Sequence, residues 1–172
     1  MPAQELHIPA YLEMLGIPYT GAPPSAMVIC FDKAIVRLVA QAHGIPVPCE
    51  YFLDCGASLE ALPDFYPALI KPNAADGSVG ITKDAVVRSP EEARPYLDWL
   101  RSALPGRDAL MQEYLPGSEY GIGVIGNPET DFCILAPLEV DFLRFPEGFD
   151  PILSFELAIP RSLLRGLPLE GA

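Results

Sequence analysis

Apolar and polar positions follow helical periods in the first quarter of the chain and strand-like runs after it. Leu6, Pro9, Ala10, Leu12 and Met14 recur among polar residues between Pro2 and Leu15, which predicts a short helix ended by Gly16. Ile17 to Gly21 reads as an extended piece leading into the Pro23-Pro24 turn. A second helix is predicted over Ala26 to Phe31 with Ser25 as its cap. A third starts at an Asp32 cap, places Ile35, Leu38, Val39 and Ala42 at i, i+3, i+4 and i+7, and stops at Gly44. Ile45-Pro46-Val47-Pro48 is a connector, and it divides residues 1–45 from the rest of the chain.

Beyond the connector the runs shorten. Glu50 to Asp54 is a predicted strand, and Leu59 to Leu62 a short helix. Ala68 to Lys71 reads as a central strand with Ile81 to Val87 as its partner, joined by a loop of small residues. Ser89-Pro90-Glu91-Glu92 combines a cap, a first-position proline and first-turn acids, so a helix should run from there to about Leu104, where Pro105-Gly106 breaks it. Ala109 to Tyr114, Glu119 to Ile125, and Phe132 to Phe142 interrupted near Pro137 complete the strands. The sum is an α+β chain.

Three places on this frame could carry chemistry. Lys71 ends a buried strand and is fixed by Pro72, so its amine is poorly solvated and well placed to meet a phosphate; a lysine snorkelling from a strand end is the plainer reading. Gly77, Ser78 and Gly80 allow close backbone approach and exposed N–H groups for an anion, although Asp-Gly also encodes a plain hairpin turn. No Walker loop occurs. Gln112-Glu113-Tyr114-Leu115 reads as an edge strand able to meet the edge of an adenine ring. Glu119, after a Pro-Gly turn, could accept from ribose hydroxyls; a charged edge that resists aggregation is the alternative. Lys33 sits at the electrostatically wrong end of a helix, which a bound anion or simple solvation would explain.

Composition narrows the partners. The net charge of -12 repels nucleic acid and anionic membranes, while a few lysines and backbone N–H groups can still hold a nucleotide. Twenty prolines, about twice the usual share of roughly 5%, predict interrupted elements. The four cysteines form no C-x-x-C pair; Cys30 and Cys133 lie in apolar runs and read as buried small hydrophobes. Without a signal peptide or an apolar span of membrane length, the expected setting is the reducing cytosol.

Four segments in order carry a resemblance. LEMLGIPYTGAPPSAMVICFDKAIVRLVAQAHGIPVP, FYPALIKPNAADGSVGI, LMQEYLPGSEYGIGVIG and PLEVDFLRFPEGFDPILSFE together span nearly all of Leu12 to Glu156. In wording and order they resemble the ATP-grasp superfamily, and within it the D-alanine–D-alanine ligase family. The resemblance implies a partial ATP-grasp fold: a mostly antiparallel sheet with flanking helices over residues 46–158, a remnant of an α/β N-terminal domain over 1–45, and an atypical tail over 159–172. It implies ATP as cofactor, with Lys33 and Lys71 on its phosphates and Ser78 and Gly80 in the loop closing over them, Ser78 being the catalytic candidate. Gln112, Glu113, Tyr114 and Leu115 would line the adenine, and Glu119 would hold the ribose. Magnesium would neutralise the phosphates, and a small amino-acid-like carboxylate and an amine would be joined through an acyl-phosphate, as in cell-wall precursor synthesis.

The pattern has departures. Gly77 replaces the first of two adjacent loop serines, and Phe155-Glu156-Leu157-Ala158 stands where the family often has Tyr-Glu-x-Lys. The glycine-rich first strand and the distal magnesium ligands are absent from the sequence, so the expected metal ligands lie beyond the C-terminus. A shifted reading frame or truncated gene would account for Ile159 to Ala172. Two further readings stay open: an ATP-grasp ligase for another carboxylate and amine, and a non-catalytic nucleotide-binding module. An incomplete lobe would expose apolar surface and aggregate or pair into a homodimer.

Overall fold

The computed structural model describes residues 4–127, 131–145, 148–154 and 164–166. Three helices come first: α1 (Gln4–Met14), α2 (Pro24–Phe31) and α3 (Lys33–Ala42). Asp32 caps α3 as expected, accepting the Ile35 N–H at 3.0 Å, and Gly44 ends it at φ +72°. Ser25 does not cap α2. The helix starts two residues earlier, with Pro23 at the cap and Pro24 supplying the preset first φ.

The main sheet contains β1 (Glu50–Leu53), β2 (Ala68–Pro72), β3 (Val86–Val87) and β4 (Ala109–Glu113) in the order β1-β4-β2-β3, with every pairing antiparallel. β2 is central, as its apolar run demanded. Helix α4 (Pro90–Ala103) lies on one face, burying Ala93, Tyr96, Leu97 and Leu100 at i, i+3, i+4 and i+7 against Ala68, Ile70 and Met111. Its Ser89 cap accepts the Glu92 N–H.

Four expectations change. β4 is interior, flanked by β1 and β2, because Glu50 to Leu53 pairs along its other side. The partner of β2 shrinks to Val86–Val87: Thr82 to Ala85 form a turn closed by Ala85 N–H on the Thr82 carbonyl, 3.0 Å. Leu59 to Leu62 form bends rather than a helix, as a four-residue segment before Pro63 cannot complete a stable turn. Glu119 to Ile125 splits into β5 (Tyr120–Gly121) and β6 (Val124–Ile125), which join different sheets.

β5 pairs with β8 (Leu138–Val140), which also pairs with β9 (Leu164–Gly166); β6 pairs with β7 (Cys133–Ile134). Phe142–Arg144 forms one 3-10 turn. Phe155 to Ala158 lie outside the described residues, so the family comparison at that position stays with the sequence.

Cys30 and Cys133 are exposed, as are Cys49 and Cys55. The apolar run around Cys30 has no buried residue in α2, and β7 is a two-residue strand exposed on both positions. Apolar surface is open on α1 to α3, where Met14 is 83% exposed, and from Leu115 through β7. No described helix is long and apolar enough to cross a membrane.

Tyr96 ties the small-residue loop to α4. Its hydroxyl accepts the Thr82 N–H at 3.0 Å and donates to the Gly80 carbonyl at 3.1 Å. Tyr96→Phe leaves both backbone groups without that partner and should cost about 1–3 kcal/mol, read as a lower midpoint in urea unfolding at unchanged slope.

Candidate functional site

Strand alternation sorts the side chains of the central sheet. Ala68, Ile70 and Pro72 point to α4, which leaves Leu69 and Lys71 on the opposite face. The register puts Leu69 opposite Gln112, and Gln112 opposite Glu50, so these share that face. The Gln112 amide donates to the Glu50 carboxylate. Lys71 is thus half-buried on a surface with carboxylates, beside the open side of the sheet.

The Lys33 charge reaches Lys71. Burial pushes the Lys71 ammonium below the ordinary lysine range, the Lys33 charge pushes the same way, and the Glu50 and Glu119 carboxylates oppose both. Lys33 is also held low, again mainly by burial, against Asp76 and Asp32. Glu119 is solvent-accessible as a residue, yet the atoms around its carboxyl raise it above the usual carboxylate range, with the Lys71 ammonium opposing. Glu119 is a surface residue with a crowded carboxyl head. Two poorly solvated cations, opposed by the Glu50, Glu119, Asp76 and Asp32 carboxylates but still held low by burial, make a place where a further anion would be welcome.

Lys33 donates its amine to the Ala75 carbonyl and, at 3.4 Å, to the Asn73 carbonyl. It thereby touches the segment that opens the small-residue loop. Arg107, which sequence reasoning missed, donates to the carbonyl between them, Ala74, at 2.6 Å. Nothing in its local pattern marks it, since it follows a Pro-Gly break on a different element.

The loop itself divides in two. Gly77 and Ser78 have φ of +54° and +59°, and Ser78 is the only non-glycine with positive φ among the described residues. The N–H groups of Gly77, Ser78 and Gly80 meet no acceptor among the described residues. Gly80 is different in its packing: a Cβ there would lie 2.7 Å from Pro72 Cγ, so this residue is pressed onto the core. Sequence reasoning grouped Gly80 with Ser78 as loop-closing residues, whereas its close contacts are with Pro72, Leu100 and Leu104.

A cleft of about 340 Å³ continues from this face, lined by Leu69, Gln112 to Leu115, Gly117 to Tyr120, Pro48, Phe142, Pro151 and Ile152. It gathers all five residues singled out between positions 112 and 119. Their roles differ from an edge strand's. Glu113 N–H donates to the Cys49 carbonyl and Tyr114 N–H to the Pro67 carbonyl, both at 2.9 Å, so this backbone is spent on neighbouring strands. Leu115 is the first residue past the sheet whose N–H has no acceptor among the described residues. Glu119 is fixed through its carbonyl, which accepts the Val140 N–H at 2.9 Å. Leu69, Phe142 and Ile152 supply the apolar walls; the strand alternation that faces Lys71 outward could have found Leu69, but only the tertiary fold brings Phe142 and Ile152.

A larger cleft, about 790 Å³, lies elsewhere, between α4 and Gly148 to Asp150. Its Arg88 is paired with Asp150 at 2.7 Å and its Lys83 sits 6.0 Å from the centre of the Phe149 ring. It holds none of the residues singled out from the sequence, and its size alone gives it no convergent chemistry.

No protein-family model matches the chain. It is 32% identical over 117 residues to the D-alanine–D-alanine ligase of Bordetella petrii, an alignment covering 67% of this chain and 34% of that protein. Its structure is similar to the D-alanine–D-alanine ligase from Bacillus anthracis complexed with ATP, with TM-score 0.60 at 23% identity, covering 83% of this chain and 44% of that one. It is similar also to the L-amino acid ligase from Bacillus licheniformis, with TM-score 0.64 at 18% identity, covering 89% and 36%. The chain spans about a third to a half of the length of the curated relatives it matches, from 34% to 49%.

Proposed function

From its similarity to D-alanine–D-alanine ligases, we propose that the chain is a member of the ATP-grasp superfamily and the nucleotide-binding portion of an ATP-dependent carboxylate–amine ligase. The single observation that carries this is a pair of poorly solvated amines: Lys33 on the carbonyls that open the small-residue loop, and Lys71 on the face of β2 shared with Leu69 and Gln112, two residues of the cleft that also gathers Glu113 to Leu115 and Glu119. A triphosphate would take the place of the carbonyls that now hold Lys33, and its charge would relieve the repulsion between the ammonium groups.

In this reading the adenine lies between Leu69 and the apolar walls of the cleft, its edge read by the Leu115 backbone. Glu119 accepts from the ribose hydroxyls. Lys71 and Lys33 hold the phosphate oxygens, and the N–H groups of Gly77 and Ser78 lie over them. ATP supplies the phosphoryl group that turns a carboxylate into an acyl-phosphate, which an amine then attacks with loss of phosphate. Magnesium would arrive with the phosphates; no described residue is assigned to it. The substrate pair is taken to be amino-acid-like, and the setting cytosolic. The exposed apolar faces are where two copies would pair.

Calorimetric titration with ATP and with adenosine tests the site. ATP should bind saturably and more tightly than adenosine, because the two amines act only on phosphates. Equal affinity for both would remove the phosphate site, and no saturable binding would remove the nucleotide site altogether. A non-catalytic nucleotide-binding module predicts the same titration and differs only in phosphate release with magnesium, ATP and D-alanine. Turnover above background excludes it.

A further inference from the structure

The first four N–H groups of a helix have no partner inside it. In α3, counted from its cap Asp32, all four are satisfied. Asp32 accounts for two: its own N–H donates to the Ile29 carbonyl at 3.3 Å and its side chain accepts the Ile35 N–H at 3.0 Å. Asn73 takes the other two from across the fold: its carbonyl accepts the Lys33 N–H at 3.2 Å and its side-chain oxygen accepts the Ala34 N–H at 3.0 Å. Asn73 is 4% exposed, and its own N–H donates to the Asp108 carbonyl at 2.9 Å, beside β4.

This arrangement changes the meaning of a lysine at a helix start. The helix end has no free N–H left to bind an anion, so it acts as a mount. Asn73 follows β2 by one residue, and Lys71 stands two residues before it on the same strand. The joint therefore fixes the origin of one amine, Lys33, to the strand that carries the other. Beside it, among the described residues, stand only the Lys33 amine's own bonds to the Asn73 and Ala75 carbonyls, which a bound phosphate would replace, and the bond from Arg37 to the Pro48 carbonyl at 3.2 Å; α3 has no buried residue.

We propose that Asn73 is a positioning residue: its side-chain oxygen docks the start of α3 on the end of β2 and so sets the separation of the two phosphate-binding amines. It touches no nucleotide. The proposal rests on the nucleotide reading above, and the two are separated by comparing nucleotides that differ only in phosphate number.

The experiment is calorimetry with AMP, ADP and ATP on the full chain, its Asn73→Ala, Lys33→Met and double variants, and Asn73→Asp, each checked for a cooperative thermal transition. Asn73→Ala should lower ATP affinity about tenfold and leave AMP within about twofold, because one amine is misplaced while the adenine cleft is intact. In the Lys33→Met background the same change should cost nothing further, since Asn73 acts through that amine. Asn73→Asp retains an acceptor for Ala34 and should keep most of the ATP affinity. Equal losses for AMP and ATP, full additivity with Lys33→Met, or a loss in Asn73→Asp as large as in Asn73→Ala would each overturn the positioning role. If the unmodified chain fails to prefer ATP over AMP, the phosphate site falls, and the proposal falls with it. If it does prefer ATP, the variants judge Asn73 alone.

Discussion

Lys71→Met should weaken ATP binding by about 10- to 100-fold, the range of a charge-assisted hydrogen bond, while making the nucleotide-free protein more stable. Both halves have one cause. The Lys71 ammonium is held below its ordinary range first by burial and second by the Lys33 charge. A methionine of similar length fills the same space without the desolvation. The same cause sets the sign of the pH dependence. An amine with a depressed folded pKa leaves the unfolded chain binding more protons, so stability rises as pH climbs from the folded value to the unfolded one, about 10.4 for lysine. Below the folded value the full cost is present. The stability gained by Lys71→Met should therefore be largest at neutral pH and shrink toward pH 10. Melting curves at several pH values, paired with ATP titrations, check it. A variant less stable than the parent at neutral pH, or one with unchanged ATP affinity, contradicts this role for Lys71.

Local rules make parts of this candidate site readable in the sequence. Lys71 was visible because an apolar run ending in Lys-Pro is a strand end, and Lys33 because a cation at a helix start is out of place. The start of α4 was readable from Ser89-Pro90-Glu91-Glu92, and the end of α3 from Gly44. What failed depends on partners distant in the chain. β4 was read as an edge because nothing in Ala109 to Glu113 says that Glu50 to Leu53 will pair with its free side. Asn73 and Arg107 look like ordinary loop residues until α3 and the Ala74 carbonyl are placed beside them. Glu119 to Ile125 looked continuous because its weak alternation survives the break at Ile122-Gly123, although the halves pair with different strands. Cys30 departs from its expected burial for another reason. An apolar helix is normally buried, whereas α2 buries no residue.

Gly80→Ala should destabilise the protein far more than Gly77→Ala, although both glycines sit in one loop at positive φ. At Gly77 the added methyl meets nothing within 4 Å, so only the left-handed backbone counts, about 1 kcal/mol. At Gly80, with φ +76°, the methyl would stand 2.7 Å from Pro72 Cγ, 2.9 Å from Leu104 Cδ1 and 3.0 Å from Leu100 Cδ1. Pro72 is a ring on the central strand and Leu100 is buried in the face of α4, so neither yields freely. Backbone strain and overpacking together should cost about 2–4 kcal/mol, a fall in Tm on the order of 10 °C for a chain of this size. The contrast matters more than either value. Gly80, bound through its carbonyl to Tyr96 and through its Cα to the core, is the fixed base from which Gly77 and Ser78 extend. Thermal unfolding of the two variants side by side decides this, since equal losses would mean that the loop has no such base and that its glycines serve the turn alone.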